Sequence, residues 1–256
     1  MTEISEKTKP TLVLLHGWGL NHAIFQPIAA ALADECIVLT PDLPGYGLAT
    51  DYPEPYSLIA LADQLAAIIP PQSLLLGWSL GGLVATQLAL RHPAKVRALA
   101  LLASSPCFLQ QTDWPGMNAS VMQQFAGALS ANLALTVERF LAIQAMGSTT
   151  ARQDIKQLKQ AVLSLPLPDA KVLAGGLEIL ASADLRPELS RLQMPLWACF
   201  GRLDSLVPVA MTQPFATFAP QADITVLAKA SHAPFISHPD EFLSWLRRFL
   251  QIGAAL

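Results

Sequence analysis

The segment Gly77-Trp78-Ser79-Leu80-Gly81 lies between an apolar run, residues 73–76 (SLLL), and an apolar helical pattern over residues 81–91. A strand that turns sharply into a helix with this G-x-S-x-G pattern holds a serine at the turn, and the small residues on either side let the two backbones approach. The helix that begins there directs main-chain N–H groups and a partial positive charge at the serine. The segment therefore predicts that Ser79 is a nucleophile presented above a sheet.

Short apolar runs alternate with helical patterns on both sides of this turn. Residues 11–15, 37–40 and 73–76 predict strands buried within a sheet, and residues 96–103 predict the next strand. The first helix is predicted over residues 58–69, with Ser57 as its N-cap. Strands at 196–200 and 224–227 and a helix near 239–250 resume the alternation later. This order predicts an α/β fold with a mostly parallel central sheet, flanked by helices on right-handed crossovers.

Residues 108–184 interrupt the alternation. They contain helical patterns near 118–130, 132–146, 150–164 and 168–182, and we identify no strand candidate among them. An all-helical insertion in an α/β chain predicts a cap over the carboxyl edge of the sheet, where open α/β folds bind ligands. We therefore divide the chain into a core (1–107), a helical cap (108–184) and the second part of the core (185–256).

A serine hydroxyl needs a general base, and the α/β chain order is nucleophile, acid, histidine. His232 and His238 follow the last predicted strand; His232 lies in the loop directly after it, whereas His238 stands at the entry to the closing helix. We predict His232 as the base. Asp204 is the only carboxylate in the loop after strand 196–200, and we predict that it orients His232. Asp184 is the competing acid, but it precedes that strand.

Acyl transfer also requires two N–H donors for the developing oxyanion. The first is predicted to be the main-chain N–H of Leu80, which follows the nucleophile. The second comes from the loop after an early strand, here His16-Gly17-Trp18-Gly19, and by position we assign it to the N–H of Trp18. The Trp18 indole is then expected to line the pocket. For His16 and Asp42 we predict a role in shaping loops.

Composition excludes several classes of protein. The 256 residues are 52% hydrophobic and 14% charged, with a net charge of −3, which argues against nucleic acid as a partner. No apolar stretch is long enough to span a membrane, and the polar N-terminus does not resemble a signal peptide. The three cysteines form no CxxC pair, which favours a reducing compartment, the cytoplasm. No His/Cys cluster has metal-ligand spacing, so no metal is expected.

Several motifs resemble a known family. The loop 16–19, the D-x-x-G-x-G pattern at 42–47, the turn 77–82 and the pair Asp204 and His232 resemble the α/β-hydrolase superfamily over the whole chain. Segments that the chemistry does not demand resemble more closely the carboxylesterases of biotin synthesis: SSPCF (104–108), WPG (114–116), VERFL (137–141), GGLEIL (175–180) and HAPFISHP (232–239). The resemblance implies hydrolysis of the methyl ester of pimeloyl-acyl-carrier protein, without cofactor or metal.

The resemblance also implies which residues contact the substrate. They are Trp18, Ser79, Leu80 and His232 of the core and Phe140, Leu141, Ala142, Ile143 and Gln144 of the cap. The residues alone make this reasonable, since Phe140, Ile143 and Gln144 are neighbours on a helix and can present one apolar and polar face. Without the resemblance, packing inside the cap is the simpler interpretation.

An acyl-carrier-protein-linked substrate is strongly acidic, so its docking surface on a chain of net charge −3 requires clustered basic residues. Arg152, Lys156 and Lys159 are spaced to lie on one helical face, and Arg139 can extend this basic face. An ordinary solvated surface is the alternative interpretation.

Two other functions stay open. The first is an esterase, lipase or C–C hydrolase for a different acyl substrate, because one triad serves many acyl compounds. The second is a ligand receptor that keeps the triad and acts through cap closure; turnover of a short aryl ester distinguishes it from an enzyme. We expect a monomer.

Overall fold

A computed structural model describes residues 9–131, 133–146 and 149–255. Within these ranges, six parallel strands form one sheet in the order β2-β1-β3-β4-β5-β6. The strands are β1 (Thr11–Leu15), β2 (Ile37–Leu39), β3 (Ser73–Trp78), β4 (Val96–Leu102), β5 (Leu196–Gly201) and β6 (Asp223–Leu227). The predicted α/β fold is confirmed, and the strands before the cap lie within two residues of their predicted bounds.

Ten helices surround or cap this sheet in the described residues. They are α1 (Gln26–Leu32), α2 (Leu58–Ile68), α3 (Leu80–Arg91), α4 (Ala119–Ala131), α5 (Leu133–Gln144), α6 (Ala151–Leu163), α7 (Ala170–Ser182), α8 (Thr212–Phe218), α9 (Pro234–Ser237) and α10 (Pro239–Ala255). The predicted N-cap of α2 is correct, because the Ser57 hydroxyl accepts a hydrogen bond from the N–H of Ala60. None of these helices is long and apolar enough to cross a membrane.

Burial across the sheet follows the position of each strand. The central strand β3 is buried over its whole length, because helix α3 and the neighbouring strands cover it. Strand β2 lies at one edge, and Ile37 is 51% exposed. The prediction that residues 37–40 are a fully buried strand was therefore wrong. An apolar run of four residues does not distinguish an edge strand from a central one.

Helices α4–α7 follow β4 and precede β5 in the chain, in the segment predicted as a cap. They pack on one another as α4 on α7, α4 on α5 and α5 on α6. The polar residues 1–8 and residue 132, which begins the helix predicted over 132–146, lie outside the described residues, as do 147 and 148.

Helix α7 lies unusually close to the core. A Cβ at Gly175 would come within 2.7 Å of the Tyr56 ring, and a Cβ at Gly176 within 2.7 Å of the Trp18 indole. The glycines therefore allow the helix backbone to contact these aromatic rings directly. Helix α6 is attached separately, because the side-chain amide of Asn21 donates to the Ala161 carbonyl at 3.0 Å. Helices α6 and α7, within the segment predicted as a cap, are thus bonded to or packed on loops that precede β3 in the chain.

Candidate active site

Ser79 occupies the turn between β3 and α3 in a conformation that side chains rarely adopt. Its φ is 55° and its ψ is −121°, which is strained for a residue other than glycine. The turn is held from both sides, because the Ser79 N–H donates to the Leu102 carbonyl at 3.0 Å and the Ser104 hydroxyl donates to the Ser79 carbonyl at 2.8 Å. A Cβ at Gly77 would lie 2.5 Å from the Cα of Gly82. The small residues predicted around the serine are therefore required by the close approach of β3 and α3.

The structure brings Ser79, His232 and Asp204 together. The Ser79 Oγ lies 3.0 Å from Nε2 of His232, and Nδ1 of His232 lies 2.7 Å from Oδ2 of Asp204. All three residues are buried, with 3%, 0% and 6% exposed. Three residues that are 125 and 28 positions apart in the sequence thus form one continuous chain of hydrogen bonds. A hydroxyl hydrogen-bonded to an imidazole that is oriented by a carboxylate is an arrangement that activates a nucleophile.

The Asp204 carboxylate is fixed by the main chain. Its Oδ1 accepts hydrogen bonds from the N–H groups of Leu206 at 2.8 Å and Val207 at 3.0 Å. Because Oδ1 is occupied in this way, Oδ2 faces the imidazole of His232. An ionised carboxylate can only accept a hydrogen bond, so the neutral imidazole carries its proton on Nδ1. Its Nε2 is then free to accept a hydrogen bond from the Ser79 hydroxyl.

The main chain of His232 is held on both sides, by contacts that the sequence did not predict. Its N–H donates to the Gln144 carbonyl at the end of α5, at 3.3 Å. Its carbonyl accepts from the indole Nε1 of Trp78 at 2.8 Å. The hydroxyl of Ser231 also contacts the end of α5. Trp78 and Ser231 carry no sequence signal for this role, since it depends on how distant segments meet.

The two predicted oxyanion donors lie close to Ser79. Leu80 is the first residue of α3, where main-chain N–H groups have no partner within the helix. The loop that carries Trp18 is directly adjacent, because a Cβ at Gly17 would contact the Ser79 Cβ at 3.2 Å. No main-chain hydrogen bond of the Trp18 N–H is found within the described part of the chain. Both N–H groups are therefore available for an oxygen next to Ser79.

The Trp18 indole connects the loop after β1 to helices α5 and α7. It is fully buried, and its Nε1 donates to the Leu173 carbonyl of α7 at 2.8 Å. The ring meets Phe140 edge-on at 4.8 Å between centroids. We expected it to line the pocket; the structure places it between α7 and the α5 residue predicted as a pocket wall.

His16 and Asp42 stabilise the loops beside the site, as their predicted role requires. His16 Nε2 accepts from the Leu43 N–H at 3.0 Å, and its Nδ1 lies 2.9 Å from the Gly17 carbonyl, to which it donates. Burial removes water from the ring and lowers the pKa of His16 to about 4. Asp42 accepts from the N–H groups of His22 at 2.6 Å and Leu48 at 2.8 Å.

The other candidate residues take part in separate contacts. The Nδ1 atom of His238 lies 2.9 Å from the Ser237 hydroxyl oxygen. Asp184 pairs with Arg186 at 2.5 Å, and this ion pair lowers the pKa of Asp184. Neither belongs to the hydrogen-bonded chain of Ser79.

Helix α5 turns part of the predicted substrate segment inward. Phe140, Leu141 and Gln144 are buried, Ile143 is partly buried, and Ala142 is exposed on the outer side. The side-chain Oε1 of Gln144 is buried without a hydrogen-bond partner in the described structure. A buried amide oxygen of this kind is costly to leave unpaired, so it is available to a polar group of a ligand.

The predicted basic face is only partly free. Arg139, Arg152 and Lys156 are exposed. Lys159, however, lies 3.3 Å from the carboxylate of Glu138 on α5. Glu138 lies on the neighbouring helix α5 and was not part of the predicted face, which was based on the charges of α6 and on Arg139.

The grooves outside the hydrogen-bonded triad include two that are lined by helices of the inserted segment. One of about 530 Å³ is lined by residues of α4 and α7, and one of about 460 Å³ lies between α1, α6 and α9 and reaches Phe235. Among the described residues, no cluster of three or more histidine, cysteine or acidic side chains could hold a metal ion.

Comparison with known proteins gives a consistent assignment. Residues 10–239 match the family described as the alpha/beta hydrolase fold. The chain is 49% identical over 240 residues to a pimeloyl-[acyl-carrier protein] methyl ester esterase of Aliivibrio salmonicida, covering 94% of this chain and 92% of that protein. It is 49% identical over 231 residues to a protein of the same name from Klebsiella pneumoniae, covering 90% of each.

Solved structures of more distant proteins share the fold. An esterase from Exiguobacterium antarcticum superposes with a TM-score of 0.85 at 20% identity, covering 95% of this chain and 92% of that one. A thermophilic esterase from Thermogutta terrifontis gives a TM-score of 0.81 at 23% identity, covering 96% and 91%. At these identities the likeness is one of fold.

Proposed function

The chain belongs to the α/β-hydrolase family, and we propose that it is a serine carboxylesterase that hydrolyses the methyl ester of pimeloyl-acyl-carrier protein. The observation that carries this proposal is the 49% identity to esterases of that name over 90–94% of the chain. The matched length includes helices α4–α7, so it extends to the segment that we predict to cover the triad. Geometry at Ser79 supports the same reaction class.

The first half of the proposed reaction forms an acyl-enzyme. The Ser79 Oγ attacks the ester carbonyl carbon while Nε2 of His232, 3.0 Å away, accepts the hydroxyl proton. The carbonyl oxygen takes the negative charge, and the N–H groups of Trp18 and Leu80 stabilise it. The bond between the carbonyl carbon and the methoxy oxygen then breaks. Methanol leaves with the proton that His232 had taken.

The second half returns the enzyme to its starting state. Water gives a proton to His232 and attacks the acyl carbon, and the same two N–H groups stabilise the second oxyanion. The Ser79 oxygen leaves and recovers its proton from His232. The product is the free carboxyl end of pimeloyl-acyl-carrier protein. Asp204 remains ionised and stabilises the imidazolium in both halves.

Helix α5 provides surroundings suited to a dicarboxylate chain. Phe140 and Leu141 supply buried apolar surface for the methylene groups. The unpaired side-chain Oε1 of Gln144 can accept a hydrogen bond from a polar group of the acyl chain or its linker. We include Ile143 as a partly buried neighbour, whereas the exposed Ala142 is the weakest member of the predicted set.

We place the carrier protein on the exposed basic residues Arg139, Arg152 and Lys156. Helices α5 and α6 pack together, so these residues lie on adjoining parts of the cap. Lys159 contributes less free charge, because Glu138 already pairs with it. A strongly acidic partner is attracted to such a patch at low ionic strength.

The test compares two substrates. The purified full chain should release methanol from the carrier-linked methyl ester with a higher kcat/KM than from free pimelate monomethyl ester, and Ser79→Ala should release it from neither. Equal turnover of both substrates would favour an esterase of broader acyl preference. Binding of the ester without turnover by the wild type would favour a receptor. A cytoplasmic location and a monomeric state remain predictions.

A further inference from the structure

Ser231 is a buried residue that the proposed mechanism does not use. It directly precedes His232 and is 1% exposed. Its hydroxyl oxygen lies 3.0 Å from the Gln144 carbonyl and 2.7 Å from the Met146 carbonyl. A hydroxyl has one hydrogen to donate, so the two carbonyls share it.

These carbonyls belong to the end of helix α5 and the turn after it. The last carbonyls of a helix have no partner within the helix and need one from outside. Here the partners come from the core, since the His232 N–H also donates to the Gln144 carbonyl at 3.3 Å. The loop that carries the histidine therefore caps the helix that carries the proposed substrate wall.

The opposite side of His232 is attached to the strand of the nucleophile. The Trp78 indole donates to the His232 carbonyl at 2.8 Å, and the two rings lie 5.8 Å apart. Trp78 is the residue before Ser79. The main chain of His232 is thus held between β3 and the end of α5.

We propose that Ser231 is a positioning residue, whose hydroxyl holds the His232 loop against the end of α5 and so keeps the imidazole within reach of Ser79. The proposal rests on the proposed function, because it assigns Ser231 a part in the same reaction. His232 transfers a proton in both halves of that reaction, so a displaced imidazole lowers kcat. Ser231 contacts the main-chain carbonyls of Gln144 and Met146 and not the side chains that would touch the substrate, so KM depends little on it.

The experiment replaces the hydroxyl in the full-length chain in two ways. Ser231→Ala removes the donor, and Ser231→Cys keeps a side chain of similar size with a much weaker donor. Active sites are titrated with a serine-reactive phosphonate, and kcat for a short aryl ester is expressed per titrated site. We expect kcat per site to fall about tenfold to a hundredfold, since small misplacements of a catalytic group cost this much. KM should stay within about twofold of the wild type.

Ser73→Ala is the matched control. Ser73 is also fully buried, and its hydroxyl donates to a main-chain carbonyl, that of Pro70, at 2.8 Å, but it lies at the far end of β3. This variant should lose thermal stability to a similar extent and keep the wild-type kcat per titrated site. The comparison separates positioning from a general loss of folded protein.

Proton NMR gives a second measurement on the same proteins. The Nδ1 proton between His232 and Asp204 should give a downfield signal in the wild type and in Ser73→Ala, and this signal should shift or broaden in both Ser231 variants. Wild-type kcat per site in both Ser231 variants would overturn the proposal; if Ser231→Ala does not fold, Ser231→Cys decides alone. Absence of ester hydrolysis by the wild type would instead overturn the proposed function.

Discussion

The substitution Asp204→Asn tests whether the carboxylate orients His232. The Asp204 Oδ1 accepts two main-chain N–H groups, from Leu206 and Val207, while Oδ2 faces Nδ1 of His232 at 2.7 Å. An asparagine has one carbonyl oxygen and one NH₂ group to fill these two places. With its oxygen on the two N–H donors, it presents NH₂ to the imidazole. The neutral imidazole then carries its proton on Nε2 and cannot accept one from Ser79.

The opposite orientation of the asparagine amide, with its oxygen towards His232, is disfavoured because two buried N–H groups lose their acceptor. It would turn the NH₂ group towards the N–H groups of Leu206 and Val207, leaving both donors buried without an acceptor. Each such loss costs about 1–3 kcal/mol, and a total of about 3 kcal/mol leaves roughly one molecule in a hundred in the productive orientation. We therefore expect kcat to fall by at least about a hundredfold, and by up to about 10⁴-fold if the productive orientation is rarer still.

The assay measures kcat per titrated active site with a short aryl ester, together with the melting temperature. Asp184→Asn is the control, because Asp184 pairs with Arg186 away from the triad and its loss should leave kcat unchanged. Asp204→Asn with more than about a tenth of wild-type kcat would refute the argument. So would a large loss of kcat in the control variant.

Three further predictions concern the triad, an acid-sensitive histidine and the carrier protein. Ser79→Ala and His232→Ala should each lower kcat about 10⁴-fold, and the double variant little more, because the two residues act as one unit; additive losses in steady-state kinetics would contradict this. Burial lowers the pKa of His16 from 6.5 to about 4, so the unfolded chain binds this proton at a higher pH than the folded protein does. The free energy of unfolding, measured with urea, should therefore fall by roughly 3 kcal/mol as the pH is lowered from about 6.5 to about 4. The part of this pH dependence that comes from His16 should be absent in His16→Gln. Arg139→Glu combined with Arg152→Glu should raise KM for the carrier-linked ester at low salt and leave a free methyl ester unaffected; an equal loss with both substrates would indicate a damaged cap.

Most of the fold could be predicted because it depends on local patterns. The runs of strands β1, β3 and β4 are bounded by turns, and the helical spacing of α5 to α7 is regular. Three short helices, α1 (Gln26–Leu32), α8 (Thr212–Phe218) and α9 (Pro234–Ser237), were missed, since four to seven residues are too few for a periodic signal. The exposure of Ile37 also could not be predicted, because it depends on the order of strands in the sheet.

The site could be predicted as far as chain order and loop position determine it. Ser79, Asp204 and His232 each follow a strand, and parallel strands place such loops at one edge of the sheet. The contacts of Ser231, the indole bond of Trp18 to α7 and the ion pair of Lys159 with Glu138 were not foreseen. Each joins segments that are brought together only by the packing of helices α5 to α7, which has no local signature in the sequence.

At Ser79, the positive φ makes opposite demands on thermal stability and on catalytic activity. A φ of 55° with a ψ of −121° costs a serine on the order of 1–3 kcal/mol that a glycine would not incur. Ser79→Gly would therefore give a protein that is easier to keep folded but has no nucleophile. Selection for thermal stability alone would therefore favour Ser79→Gly, although this variant is inactive. Engineers who raise the melting temperature of this enzyme should screen for turnover at every round.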